Sequence, residues 1–124
     1  MIQIRIERKP VTGAILSFRI KGHALYADPG NDIVCSAISA ITVGTVNAIE
    51  KLTGTVANAR MKDGFLSARY SPELFEPGNE KGQQVQLLLE SMVVMLRGIE
   101  ESYGKHIAIT QNPRKKEVDP NVET

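Results

Sequence analysis

The sequence predicts an α+β fold, an α/β sandwich of order ββαββαβ in which a mixed sheet packs with two long helices. Three patterns predict it. Apolar residues alternate with polar ones over residues 2–7 and again over 106–110, as in half-buried strands. Lys62-Asp63-Gly64 separates two strand-like runs, and Asp-Gly is a strong tight-turn signal. Two segments of more than twenty residues carry helical spacing and end near glycines.

The elements follow in order. Ile2, Ile4 and Ile6 alternate with Gln3, Arg5 and Glu7, which is the period of a strand. Pro10 and Gly13 break the chain, and a second strand through Ala14 to Ile20 places Leu16, Phe18 and Ile20 on one face. Ala24 to Asn31, with Asp28-Pro29-Gly30, reads as a loop. A helix is expected from Ile33 to Thr53-Gly54, capped by Asn31 or Asp32. Ala40, Gly44 and Ala48 recur every fourth residue along it and predict close packing on a neighbour. Thr55–Met61 and Phe65–Tyr70 form the second hairpin. A second helix is expected from Gly78 or Asn79 to Tyr103-Gly104, with Val85, Leu88, Leu89, Met92, Leu96, Ile99 and Tyr103 as its apolar stripe. His106 to Thr110 alternates as a last strand, and residues 111–124 are charged, aperiodic and expected to form a disordered tail.

Composition narrows the function. The 124 residues suit one domain, and 42% hydrophobic content supplies a core. Fifteen basic residues against fourteen acidic ones argue against a dedicated nucleic-acid binder, with room for a local patch. Arg5, Glu7, Arg8, Lys9 and Arg19 interrupt the first twenty residues, so no secretory signal is expected. The longest apolar run is read as Val85–Ile99, broken by Glu90, Ser91 and Arg97, and no membrane span is expected. One cysteine excludes an internal disulfide and points to a reducing, cytoplasmic setting.

The chemistry sits in Gly22-His23-Ala24 and Gly30-Asn31-Asp32-Ile33-Val34-Cys35. If Asp32 caps the helix, Cys35 falls in its first turn, where unpaired N–H groups favour a thiolate and an oxyanion. His23, twelve residues earlier at a strand end, is the candidate base. Gly22 leaves room for a peptide backbone, and Gly30 with Pro29 bends a loop that closes on substrate. Asp32 and Ser39, the latter four residues past Cys35 on the same helix face, are supporting candidates. The plain alternative is a buried structural cysteine among Ile33, Val34, Ala37 and Ile38, with His23 a surface histidine. One Cys and two His without paired spacing give no metal site.

Gly22-His23-Ala24, Gly30, and Asp32-Ile33-Val34-Cys35-Ser36-Ala37-Ile38-Ser39 resemble the bacterial ribosomal-processing cysteine protease family, Prp. The element order, Val46-Asn47-Ala48-Ile49 and the helix end Ile99-Glu100-Glu101 fit as well. The resemblance spans residues 1–110, leaving 111–124 as a tail without a counterpart. It implies a cysteine endopeptidase that removes the N-terminal extension of a large-ribosomal-subunit protein. It further implies His23 and Cys35 as catalytic residues, a flexible loop between them, a homodimer, no cofactor and no metal. Neither nucleic acid nor a membrane is required. Ser36 replaces a common Ala, and Leu25-Tyr26-Ala27-Asp28-Pro29 is individual to this chain. A non-catalytic ribosome-associated binding module and a thiol redox sensor without a resolving cysteine are the rival readings.

Overall fold

The computed structural model describes residues 1–22, 29–62 and 64–113, and of residues 29–32 it describes the backbone. The order is β1 (Ile2–Arg8), β2 (Ile15–Lys21), α1 (Pro29–Thr53), β3 (Asn58–Lys62), β4 (Phe65–Arg69), a 3-10 turn (Pro72–Phe75), α2 (Glu80–Ser102) and β5 (Ile107–Asn112). The five strands form one sheet in the order β3-β4-β2-β1-β5. All neighbours are antiparallel except β1 and β5, so the sheet is mixed, as the sequence predicts.

β1 lies between β2 and β5, and its alternation divides the molecule. Ile2, Ile4 and Ile6 are buried, while Gln3 and Arg5 are exposed. In register, Ile4 faces Ile20 and Ile109, and Ile6 faces Phe18. Both helices cover that one face. A single cluster joins these strand residues to Val34, Ile38 and Ile49 of α1 and to Val85, Leu89, Met92 and Leu96 of α2. A bulge steps the register from Glu7–Ser17 to Arg8–Ile15, leaving Leu16 as the extra residue and turning both Ile15 and Leu16 inward.

Polar contacts lock α2 onto the first hairpin. The Gln86 side chain accepts from the Ile15 N–H at 2.9 Å and donates to the Ile15 carbonyl at 2.8 Å. Arg8 makes a two-pronged contact with Glu90 at 2.6 and 3.0 Å and donates to the Gly13 carbonyl at 2.8 Å. Asn79 caps α2, its side chain accepting from the Gly82 N–H at 3.0 Å. At Gly82 an added Cβ would stand 1.8 Å from the Leu74 carbonyl oxygen, so only glycine lets the 3-10 turn pack on α2.

Several expectations need correction. α1 starts at Pro29 rather than near Ile33, because Pro is well suited to a first helical position. Asp32 therefore lies inside the helix and is not its cap, and Gly30 belongs to the helix rather than to a loop. The Ala40-Gly44 stripe does not pack within the subunit: both residues are exposed, and nothing lies within 4 Å of a Cβ added at Gly44. Ile33–Thr53, with mean hydropathy 1.6, is long and apolar enough to cross a membrane by length and composition, whereas Val85–Ile99 is not the longest apolar segment. Its Ala, Gly and Thr content hides that apolarity from a search for Leu-rich runs, and in the fold its Val34, Ile38, Thr42, Thr45 and Ile49 line is buried. β5 runs to Asn112, so residues 111 and 112 pair with β1 instead of opening the tail. Asp63 and residues 114–124 lie outside the described residues.

Tyr70 is 2% exposed, its hydroxyl finds no hydrogen-bond partner among the described residues, and burial pushes its pKa up to about 12. The folded state thus holds the phenolic proton more tightly than the unfolded chain, and stability falls as pH rises from about 10 through 12. Tyr70→Phe is expected to raise stability at neutral pH by up to about 1 kcal/mol, since it removes an unsatisfied hydroxyl. It should also flatten the alkaline decline. Urea unfolding at pH 7 and across the alkaline range checks both.

Candidate active site

Cys35 sits one position past Val34 on α1. Val34 and Ile38 point into the core four residues apart, which turns Cys35 and Ser39 together toward the helix flank. There Cys35 is half-buried and Ser39 exposed. Both line a cavity of about 240 Å³ that also takes in Gly22, Thr42, Met61 and Phe65. The Thr42 hydroxyl is committed to the Ile38 carbonyl at 2.8 Å, which leaves the Cys35 and Ser39 side chains and the Lys62 ammonium as the chemically active groups on the described wall.

The opposite wall is the end of β2. The Gly22 N–H donates to the Gly64 carbonyl at 3.0 Å, tying the two hairpins together at the cavity. Gly22 has φ +96°, and a Cβ there would lie 2.7 Å from the Met1 carbonyl oxygen. Gly22 thus leaves space that the Met1 carbonyl takes. Its positive φ turns the backbone off the strand. His23 is the next residue in sequence and lies outside the described residues, as do residues 24–28 and the Asp32 side chain. His106, the other histidine, is not one of the residues lining this cavity. Its carbonyl accepts from the Ile2 N–H at 2.8 Å, at the start of the β1–β5 pairing.

The early helix start changes the electrostatics expected at the thiol. Cys35 lies six residues beyond Pro29, past the first turn in which a helix terminus exerts most of its field. The N–H groups of Val34 to Ser36 are likewise helix-interior groups, engaged in the i→i−4 ladder. The first-turn placement and the helix-terminal oxyanion site are both overturned. Among the described residues, no three His, Cys, Asp or Glu side chains group to hold a metal.

The family model of the cysteine protease Prp matches residues 1–108. The chain belongs to the Prp family of cysteine proteases. The ribosomal processing cysteine protease Prp of Bacillus subtilis is 38% identical over 114 residues, covering 90% of this chain and 98% of that protein. Its counterpart in Staphylococcus aureus is 32% identical over 97 residues, covering 78% and 87%. The crystal structure of Prp from S. aureus in complex with a substrate peptide superposes with a TM-score of 0.78 at 30% identity, covering 90% of this chain and all of that one. A second S. aureus Prp structure, with a covalently linked product peptide, gives 0.75 at 32% identity. Membership makes the chain an enzyme that cleaves peptide bonds, and it sets aside the binding-module and redox-sensor readings.

For this Prp member, Gly22→Ala is expected to destabilise the fold by about 1–3 kcal/mol, because the new Cβ meets backbone and the φ is unfavourable. Peptidase activity at a temperature where the variant remains folded should drop at least tenfold, since the wall opposite Cys35 shifts. Urea unfolding and kcat/KM on a peptide substrate check the two effects separately.

Proposed function

We propose that this enzyme removes an N-terminal segment from a large-subunit ribosomal protein precursor in the cytoplasm, with Cys35 as nucleophile and His23 as base. The observation that carries the reading is that the chain has one cysteine, and that this cysteine lines a cavity with Gly22, the residue joined to His23. A cysteine protease needs a thiolate, and the relatives are named for ribosomal processing.

In this mechanism His23 takes the Cys35 proton. The thiolate adds to the scissile carbonyl, forming the C–S bond and an oxyanion. Collapse expels the amine, which takes its proton from the His23 imidazolium, and leaves a thioester on Cys35. Water, deprotonated by His23, then releases the carboxylate product and restores the thiol. The acid–base steps contribute roughly 10²–10⁴-fold each. With the helix-interior N–H groups already committed, the Ser39 hydroxyl, which lines the same cavity on the same helix face, is the side-chain donor for the oxyanion. Asp32 and Gly30 move with the first turn of α1, and their part is to place that turn against substrate. The enzyme is further proposed to act as a homodimer, for which the α1 face with Ile33, Ala40 and Gly44, exposed among the described residues, supplies an apolar surface.

Cys35→Ala and His23→Ala are each expected to abolish cleavage of an extension-bearing ribosomal protein while leaving the circular dichroism spectrum unchanged. Ser39→Ala should lower kcat by roughly 10²-fold or less, in line with loss of one oxyanion donor. Mass spectrometry of the substrate before and after incubation reads the result, and full cleavage by Cys35→Ala would overturn the proposal.

A further inference from the structure

The side of the sheet away from the helices is uncovered among the described residues, and its register makes it a charged grid. One row runs Asn58, Arg69, Ser17, Glu7, Asn112 across the five strands. The next runs Arg60, Ser67, Arg19, Arg5, Thr110, and the third Lys62, Phe65, Lys21, Gln3, Ala108. Among the described residues, six of the chain's fifteen basic side chains therefore share this face with one acidic side chain, Glu7. A chain of net charge +1 presents one face of about +5, and the rest of the molecule carries the compensating acids.

The one acid is already spent. Glu7 accepts from the Ser17 hydroxyl at 2.7 Å and from Arg69 at 2.8 Å, and these contacts hold its carboxyl below the usual range. Among the described residues, Arg5, Arg19, Lys21, Arg60 and Lys62 take part in no ion pair. Arg5 and Arg19 stand directly opposite each other on neighbouring strands, an arrangement that costs a sheet stability. The fold gains nothing from that pair, whereas an anion placed between the two guanidinium groups would. A concavity of about 740 Å³ lies over them, bordered also by Gln3, Lys21 and Thr110.

We infer that this face binds the phosphodiester backbone of RNA. Guanidinium forks interspersed with amide and hydroxyl donors match phosphate oxygens and the 2′-hydroxyls between them. A protein partner is disfavoured because the face lacks an apolar centre, Phe65 being its sole large apolar side chain and half-buried. A second copy of the chain is disfavoured because two such faces repel. The choice of RNA over DNA rests on the ribosomal-processing reading, in which substrate is met beside ribosomal RNA. Proteolysis itself needs no nucleic acid, so the face is a docking surface.

The test uses the full chain and a short dye-labelled RNA, with fluorescence polarisation read between about 50 and 200 mM salt. Wild type should bind with affinity that falls steeply as salt rises. Arg5→Gln/Arg19→Gln should weaken binding at least tenfold and reduce the log–log salt slope by about 1.4, the value for two lost contacts to a single strand. Lys51→Gln/Lys105→Gln removes the same charge elsewhere and should change affinity less than twofold. Both double variants should cleave a free peptide within twofold of wild type, which separates this inference from the protease reading. Equal weakening by the two double variants, salt-independent binding, or tighter binding of a polyglutamate peptide or of DNA than of RNA would each overturn it.

Discussion

Everything in this structure is referred to the strict alternation of β1. Because side chains leave a strand on opposite sides in turn, Ile2, Ile4 and Ile6 enter the core only if Gln3, Arg5 and Glu7 leave it. A slip of one residue would exchange the two sets, burying an arginine beneath α1 and α2. Burial of three isoleucines at 2% exposure or less makes that exchange prohibitive. The register of the neighbouring strands, the seat of both helices and the composition of the open face all follow from it.

The candidate site is a consequence of where that sheet stops. β2 ends at Lys21, Gly22 turns the chain away, and the flank of α1 brings Cys35 and Ser39 across from it. Neither wall is a loop: one is a strand end clamped to Gly64, the other a helix of 25 residues. A side chain on such an element is held by packing that the core already supplies.

Much of this is legible in the sequence, and the misses have physical causes. The strands, the second helix opening at Gly78 or Asn79, and the pairing of Cys35 with Ser39 on one helix face follow from local periodicity. The start of α1 does not, because Pro29 is equally a loop breaker and a good first helical residue, and Asp32 resembles a cap wherever it stands. Gly44 reads as a packing contact because glycine in a helix is costly, but a sequence cannot say whether the cleared space is filled from within the subunit. Gly82 carried no signal at all: its role depends on the Leu74 carbonyl, brought close by a 3-10 turn that sequence patterning leaves unmarked. Overall charge concealed the open face, since near-neutral totals are silent about which side of a sheet the cations occupy.

The parallel pairing of β1 with β5 gives the order of assembly. Arg8 reaches Gln111 at 2.5 Å across 103 residues of chain, and the first residue of β1 bonds to the His106 carbonyl. During synthesis the first strand leaves the ribosome long before its parallel partner exists, with one edge unsatisfied. Contacts so distant in sequence form slowly, after the local hairpins and helices. The Met1 carbonyl that packs on Gly22 immediately precedes β1, whose pairing with β5 waits for the end of the chain. The wall beside the thiol is therefore among the final parts of the molecule to set, and a partly made chain carries its cysteine without a finished cleft to use it in.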